Sequence, residues 1–322
     1  MNLLLIATAA VLSADVSTDW ELARILVAEH EHNARKASSY AATYKEIRWV
    51  TFRIDGIQRE TEVEAHVEEV RAGLNLFVKR DETSKVLKGG PNDRSGYTQR
   101  TDLIRNNEYI AHFTYPYVSM ELFCNDYHDI HAGPAVVKRV VGRGPSTCGF
   151  GDGRTPFSDI IAGGSENYKS FHCGPVNEGE NVYQIEIEEE TGLRQRILVD
   201  LSRGGLIVSS SAQHGDIIFE MEVVPNEFDG IWFPGSWKQT FYDVKADKPT
   251  RIFTSTLTSL EFNKWEAKEF TYEKILPSED TLILLFTGTE SRKYMYSVDG
   301  VLMDSTNAHL LWRDKAALQP GG

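Results

Sequence analysis

Long apolar runs, cysteine and positive charge are all scarce in this chain of 322 residues, and each shortage excludes something. No apolar stretch reaches the roughly eighteen residues that a bilayer-spanning helix needs. Lys and Arg number 34 against 47 Asp and Glu, a net charge of -13, and a surface of that sign repels a phosphate backbone. Nucleic acid is therefore not an expected partner. Three cysteines, Cys124, Cys148 and Cys173, permit one disulfide with one thiol left over, in three pairings. The nucleophile elbow G-x-S-x-G is absent. Gly163 to Ser170 reads GGSENYKS, where Tyr168 stands in place of the glycine that a phosphate-cradling loop requires.

What is present is the balance of a folded chain, 41% hydrophobic and 25% charged, with enough aromatic residues to bury a core as one large or two modest domains. Met1 to Ala14 is apolar from Leu3 to Leu12 and ends in small residues, although it has no Lys or Arg. It is expected to be a secretory signal peptide, which makes the chain extracytoplasmic, periplasmic or secreted. In an oxidising compartment Cys148 and Cys173, both in loop-like Gly contexts, are the favoured pair, against the alternative that all three cysteines are reduced and buried.

Thr18 to Glu21 has the form of a capping box, so a helix is expected over residues 18 to 38 with Leu22, Ile25 and Leu26 on its buried face. Beyond it the period changes to two. Thr61, Val63, Ala65 and Val67 alternate with Glu62, Glu64, His66 and Glu68, a strand with one wet face. The same alternation returns in residues 74 to 78, 109 to 114, 183 to 187, 196 to 201, 217 to 223, 241 to 244, 252 to 262 and 282 to 286, with a further strand expected over Phe270 to Pro277. Asp55-Gly56, Thr191-Gly192, Arg203-Gly204-Gly205, Asp229-Gly230 and Asp299-Gly300 mark tight turns between these strands. The expected fold is mainly β (α+β): a strongly curved antiparallel sheet or incomplete barrel with the N-terminal helix on its concave side. Residues 142 to 181 are rich in glycine and read as an insertion, and residues 264 to 322 as a β extension ending in a frayed tail.

Few side chains point to chemistry. Cys124, Asp126, His128, Asp129 and His131 have metal-ligating types, but four zinc ligands at matching spacing are missing, so a polar loop is the preferred reading. His30 and His32 are two apart and cannot share a helix face. The run Glu186, Glu188, Glu189, Glu190 reads as a solvated face. Trp232, Phe233 and Trp237 flank Pro234-Gly235, as aromatics that plug the sheet or form a rim for a ligand beside a tight turn. Alternation places Val63, Ala65, Val67, Phe219, Met221 and Phe241 on faces that would line a concave apolar cavity.

The order of these segments carries a resemblance. A leader, a helix ending in Ser38-Ser39-Tyr40, a strand-rich body, then Val223-Val224-Pro225 and Gly230-Ile231-Trp232-Phe233-Pro234 leading into Lys238 to Tyr242 and Arg251 to Asn263 resembles the secreted LolA/LolB lipoprotein-carrier superfamily over about residues 18 to 263. The resemblance implies residues 15 to 263 as a half-barrel closed by helices over an apolar cavity for acyl chains. It implies a non-catalytic carrier or binder of lipid or acylated protein, with no cofactor. An envelope protein-interaction module without lipid, and an exported metal-dependent hydrolase using the Cys124 to His131 loop, are the alternatives.

Overall fold

The structure is a computed structural model that describes residues 16–54, 56–73, 75–89, 96–106, 109–115, 119–124, 144–145, 168–177, 181–245, 248–262, 270–271, 274–275, 281–287, 291–298, 301–304 and 307. The expected fold class is the one observed: mostly β, an open and almost wholly antiparallel arrangement with one long helix among the described residues. Two compact units divide the chain. The first comprises Met1–Ala37 and Gly142–Ser255, the second Ser38–Val141 and Thr256–Gly322. The glycine-rich stretch is therefore where the chain re-enters the first unit, and the segment beyond residue 264 contributes strands to the second.

In the first unit, helix α1 (Val16–Lys36) precedes six strands that become neighbours in reverse order. They are β7 (Ser170–Pro175), β8 (Val182–Glu188), β9 (Arg194–Asp200), β10 (Leu206–His214), β11 (Ile217–Phe228) and β12 (Ile231–Asp243). The first half of β13 (Arg251–Phe262) continues this set, with the Phe253 ring 5.8 Å from that of Phe241. The second unit contains β1 (Ser39–Ile54), β2 (Ile57–Ala72), β3 (Asn75–Lys88), β4 (Thr98–Arg105), β5 (Tyr109–Tyr115) and β6 (Ser119–Cys124) as a meander. Its later strands are β14 (Thr281–Thr287), β15 (Ser291–Val298) and β16 (Val301–Asp304), and β14 lies parallel to β6 where every other described ladder is antiparallel. Phe270 and Ile275, expected within a strand, instead belong to a non-strand segment packed on Ile104, Ala111 and Phe113.

The hairpin turns fall where glycine signals them. Asp229 and Gly230, at φ 51° and 77°, close β11 onto β12 as a two-residue loop, the positive-φ pair that matches strand twist. Gly56 stands in the short turn between β1 and β2, and Gly192, at φ 81°, in the longer loop between β8 and β9. Pro234-Gly235 is different. It lies inside β12, where Val224 pairs with Ser236 and Pro225 with Pro234, so Gly235 is the extra residue of a β-bulge and not a turn. The Asn226 amide occupies the space a side chain at Gly235 would need.

Helix α1 begins two residues before Thr18, so Thr18 sits in its first turn and is not its cap, and Glu21 pairs with Arg24 at 3.1 Å. Its buried face is Leu22, Ala23, Leu26, Val27, His30 and Asn33, while Ile25 points to solvent. Two polar residues on that face are satisfied by the strands. His30 Nδ1 lies 2.8 Å from the Gly205 carbonyl, which can only accept, so Nδ1 carries the proton. Asn33 Nδ2 donates to the Trp232 carbonyl at 2.9 Å. Such closeness needs glycine: a Cβ on Gly205 would lie 2.6 Å from the His30 backbone nitrogen, and one on Gly204 2.9 Å from the Asn33 side chain.

Gly205→Ala combines a positive φ of 68° with that backbone clash and is expected to cost about 3 kcal/mol in urea denaturation. Gly192→Ala, at φ 81° with open space around it, is expected to cost only about 1 kcal/mol. Equal losses would mean that the helix does not rest on this turn.

Candidate functional site

Alternation along β1, β2 and β3 gives the second unit one face that is buried and carries charge. Val63, Ala65 and Val67 lie on it, all nearly inaccessible to solvent. The register sets Glu46 and Glu82 on either side of Ala65, and Tyr44 and Arg80 on either side of Val67. Arg80 reaches across β2 to Glu46, with contacts of 2.6 and 3.3 Å, and its Nε donates to Glu82 at 2.9 Å. Arg48 lies 3.5 Å from the other Glu82 oxygen. Burial alone would favour a neutral Arg80, but the Glu46 carboxylate and its hydrogen bonds, with Glu82 behind them, hold the guanidinium's pKa above its ordinary value. Ala65 thus forms the floor beneath an ion pair, where a longer side chain would push the two strands' charges apart. The expected purely apolar wall is in fact bridged by charge.

A second polar group sits on the same face. Glu69 accepts hydrogen bonds from the phenols of Tyr40 at 2.5 Å and Tyr44 at 3.3 Å, all three side chains being buried. Burial first, then the nearby carboxylates of Glu69 and Glu46, push the Tyr44 phenol well above its ordinary pKa, so it remains a donor.

The second unit also contains a cavity of about 310 Å3, the lower end of the size range of small-molecule pockets. On the opposite face of these strands Ala41, Val70, Phe77 and Phe270 supply its apolar wall and Thr43, Glu68 and Lys274 its polar one, while Ala42 and Glu69 border it with their backbone only. Glu68 is occupied by Lys79 at 3.2 Å, and Glu69 by its two tyrosines. A wider recess of about 740 Å3 over β2 to β4 is lined by Glu62, Glu64, His66, Asp81, Lys85 and Arg100, polar throughout. Lys45 meets Glu64 there at 2.8 Å, which bears out the wet-face reading of this alternation.

The other cavity residues expected from sequence belong to the first unit. Phe219 and Phe241 face each other across β11 and β12 with ring centroids 5.0 Å apart, and Met221 is buried beside them opposite Gln239. Val63, Ala65 and Val67 are thus assigned to one unit, and Phe219, Met221 and Phe241 to the other. Phe233 is wholly buried and Trp237 nearly so, so both rings are core and not a surface rim. Trp232 is half-buried, with the Arg203 guanidinium 5.8 Å from its ring centre. The acidic run near residue 186 is a solvated ladder, as expected: Glu188 pairs with Lys169 at 2.7 Å and Glu186 with Arg196 at 3.6 Å.

Cys173 is a free, buried thiol on β7, and its candidate partner Cys148 lies outside the described residues. Burial, and then the Asp19 carboxylate, push its pKa from near 9 up to about 12. Asp126, His128, Asp129 and His131 also lie outside the described residues, and of Cys124 only the backbone, closing β6 opposite Tyr109, is described. Among the described residues no group of three or more His, Cys, Asp or Glu is arranged to hold a metal ion. The cavity residues Ala41, Phe77, Phe270 and Lys274 escaped sequence reasoning, because they come from separate strands and a loop with no shared motif.

No protein-family model matches the sequence, and no curated protein matches it. Among solved structures the chain is similar to a DUF1329 family protein from Desulfovibrio piger, with a TM-score of 0.40 and 10% identity over 81% of this chain and 99% of that one. It is also similar to a putative outer membrane lipoprotein-sorting protein domain from Vibrio parahaemolyticus, with a TM-score of 0.39 and 11% identity over 81% and 99% of the two chains.

Glu46→Ala leaves Arg80 buried with only Glu82, and is expected to cost about 3 kcal/mol by equilibrium unfolding. Replacing Glu46 and Arg80 together by Leu and Met should recover most of that loss, since the charge to be compensated is then gone. The Cys173 thiol, held protonated in the folded chain, should resist alkylation at pH 8 until denaturant is added, as read by peptide mass mapping. Its contribution to stability is complete below pH 9 and falls as the pH rises toward 12, because only the unfolded thiol ionises in that window.

Proposed function

We propose that this chain is an extracytoplasmic, non-catalytic binder or carrier of lipid or acylated protein, and that the cavity beside Phe270 receives the acyl tail. The observation that carries the reading is the composition of that cavity: the apolar side chains of Ala41, Val70, Phe77 and Phe270 around about 310 Å3, with the Glu68 carboxylate already engaged by Lys79. A concave apolar space with a few placed polar groups is the usual form of a small-molecule site. The leader-like Met1 to Ala14 supports export, and the resemblance of the element order to lipoprotein carriers agrees in kind.

A second reading, an envelope protein-interaction module, draws on a different feature. Phe52, Ile57, Leu87 and Tyr97 are all exposed near the same end of β1 to β4, a density of large apolar side chains that marks interaction surfaces.

Native mass spectrometry of chain exported and purified without detergent is expected to show an acyl-containing mass that denaturation releases. Ala41→Trp, which fills the cavity from a half-buried position, should keep the melting temperature and lose that mass. A wild-type chain that is bare, and stays bare on incubation with lipid, would sink the carrier reading and leave the interaction module.

A further inference from the structure

The polar side of the cavity is not neutral in its preferences. Of the charged side chains that line it, Glu68 is paired with Lys79, while the Glu69 side chain turns to the other face of β2, under the hydroxyls of Tyr40 and Tyr44. Lys274 is exposed, and among the described residues its ammonium has no ion-pair or hydrogen-bond partner. It stands in the turn whose Phe270 forms part of the apolar wall, and that turn is held by the Lys274 backbone N–H donating to the Thr271 carbonyl at 3.2 Å. In a chain of net charge -13 a cation with no partner among the described residues, beside an apolar recess, is a place where a negative group can settle.

Size narrows the ligand further. A space of about 310 Å3 suits one hydrocarbon chain and not the several chains of a triacylated lipoprotein or a phospholipid. The Glu69 carboxylate points to the opposite face of β2, toward Tyr40 and Tyr44, so the inner wall of Ala41, Val70, Phe77 and Phe270 is apolar, and the exposed side carries Lys274. Tail inward and head outward is the orientation that both the apolar wall and Lys274 favour.

Taking the cavity to be a tail-binding site, as proposed above, we infer that its ligand is a single-chain amphiphile with an anionic head, of the fatty-acid class, whose carboxylate is paired by Lys274. The ammonium adds selectivity to an affinity that the apolar wall provides. A free fatty acid and an anionic lysolipid share this chemistry, and the experiment separates them.

The test uses the full chain, stripped of bound lipid, with laurate, dodecanol, dodecyltrimethylammonium and an anionic lysolipid as probes in displacement titrations of a fluorescent acyl ligand. Laurate should bind about fivefold more tightly than dodecyltrimethylammonium, the scale of one partly exposed ion pair. Lys274→Glu should abolish or invert that order while dodecanol binding is unchanged, a comparison that an unfolded variant could not pass. Tighter binding of laurate than of the lysolipid assigns the fatty acid as the source of the head group, and the reverse assigns the lysolipid. Equal binding of the two dodecyl ions, or a preference that survives Lys274→Glu, would overturn the head-group inference and leave tail binding intact. Failure of every probe, dodecanol included, would overturn the tail-binding reading itself.

Discussion

An arginine cannot be buried alone, and the second unit is arranged around the carboxylates that keep Arg80 charged. Glu46 and Arg80 come from strands that are not neighbours, so their contact passes over β2 and ties three strands on one face. The pairing constrains sequence at a distance. Ala65 must stay small beneath it, Glu82 must approach from the far side, and Arg48 must balance Glu82. Burying such a cluster adds little net stability against an apolar alternative. What it adds is register: a slip of one residue between β1 and β2 would turn Glu46 to the opposite face and leave Arg80 without its closest partner.

This cluster also separates the two faces of the sheet in character. The face with the ion pair is closed to solvent, while the recess over Glu62, Glu64 and His66 is wet. The small apolar cavity lies on the wet side of the strands, farther along β2 from that recess, where Val70 and Phe77 replace the charged residues and Glu68 is held by Lys79.

Much of the fold is legible in the sequence and little of the site is. The alternation from Thr61 to Glu68 and the glycines of three hairpin turns give strands and registers directly, since a period of two and a positive φ each have few alternatives. Strand β1 is hidden because its buried face mixes Tyr40 and Tyr44 with Glu46, and buried charge breaks the pattern that alternation relies on. Pro234-Gly235 has the composition of a turn, yet only the partner strand decides between a turn and a bulge, and Pro225 pairs with Pro234. Ile25 fails for a related reason: the helix face is set by where Gly204 and Gly205 let it approach, information that lies far away in the chain. The cavity is invisible at the level of motifs, since Ala41, Phe77 and Phe270 are individually ordinary.

The contact between Asp19 and β7 has a consequence for assembly. β7 ends the strand order of the first unit, and an end strand offers its free amides to any passing chain. The Asp19 carboxylate takes the backbone N–H of Cys173 at 3.2 Å and the ring of His172 at 2.8 Å, while the Trp20 ring packs edge-on to Phe171. The helix therefore acts as a stopper on that border, so that copies of the chain crowded together are discouraged from growing end to end through it.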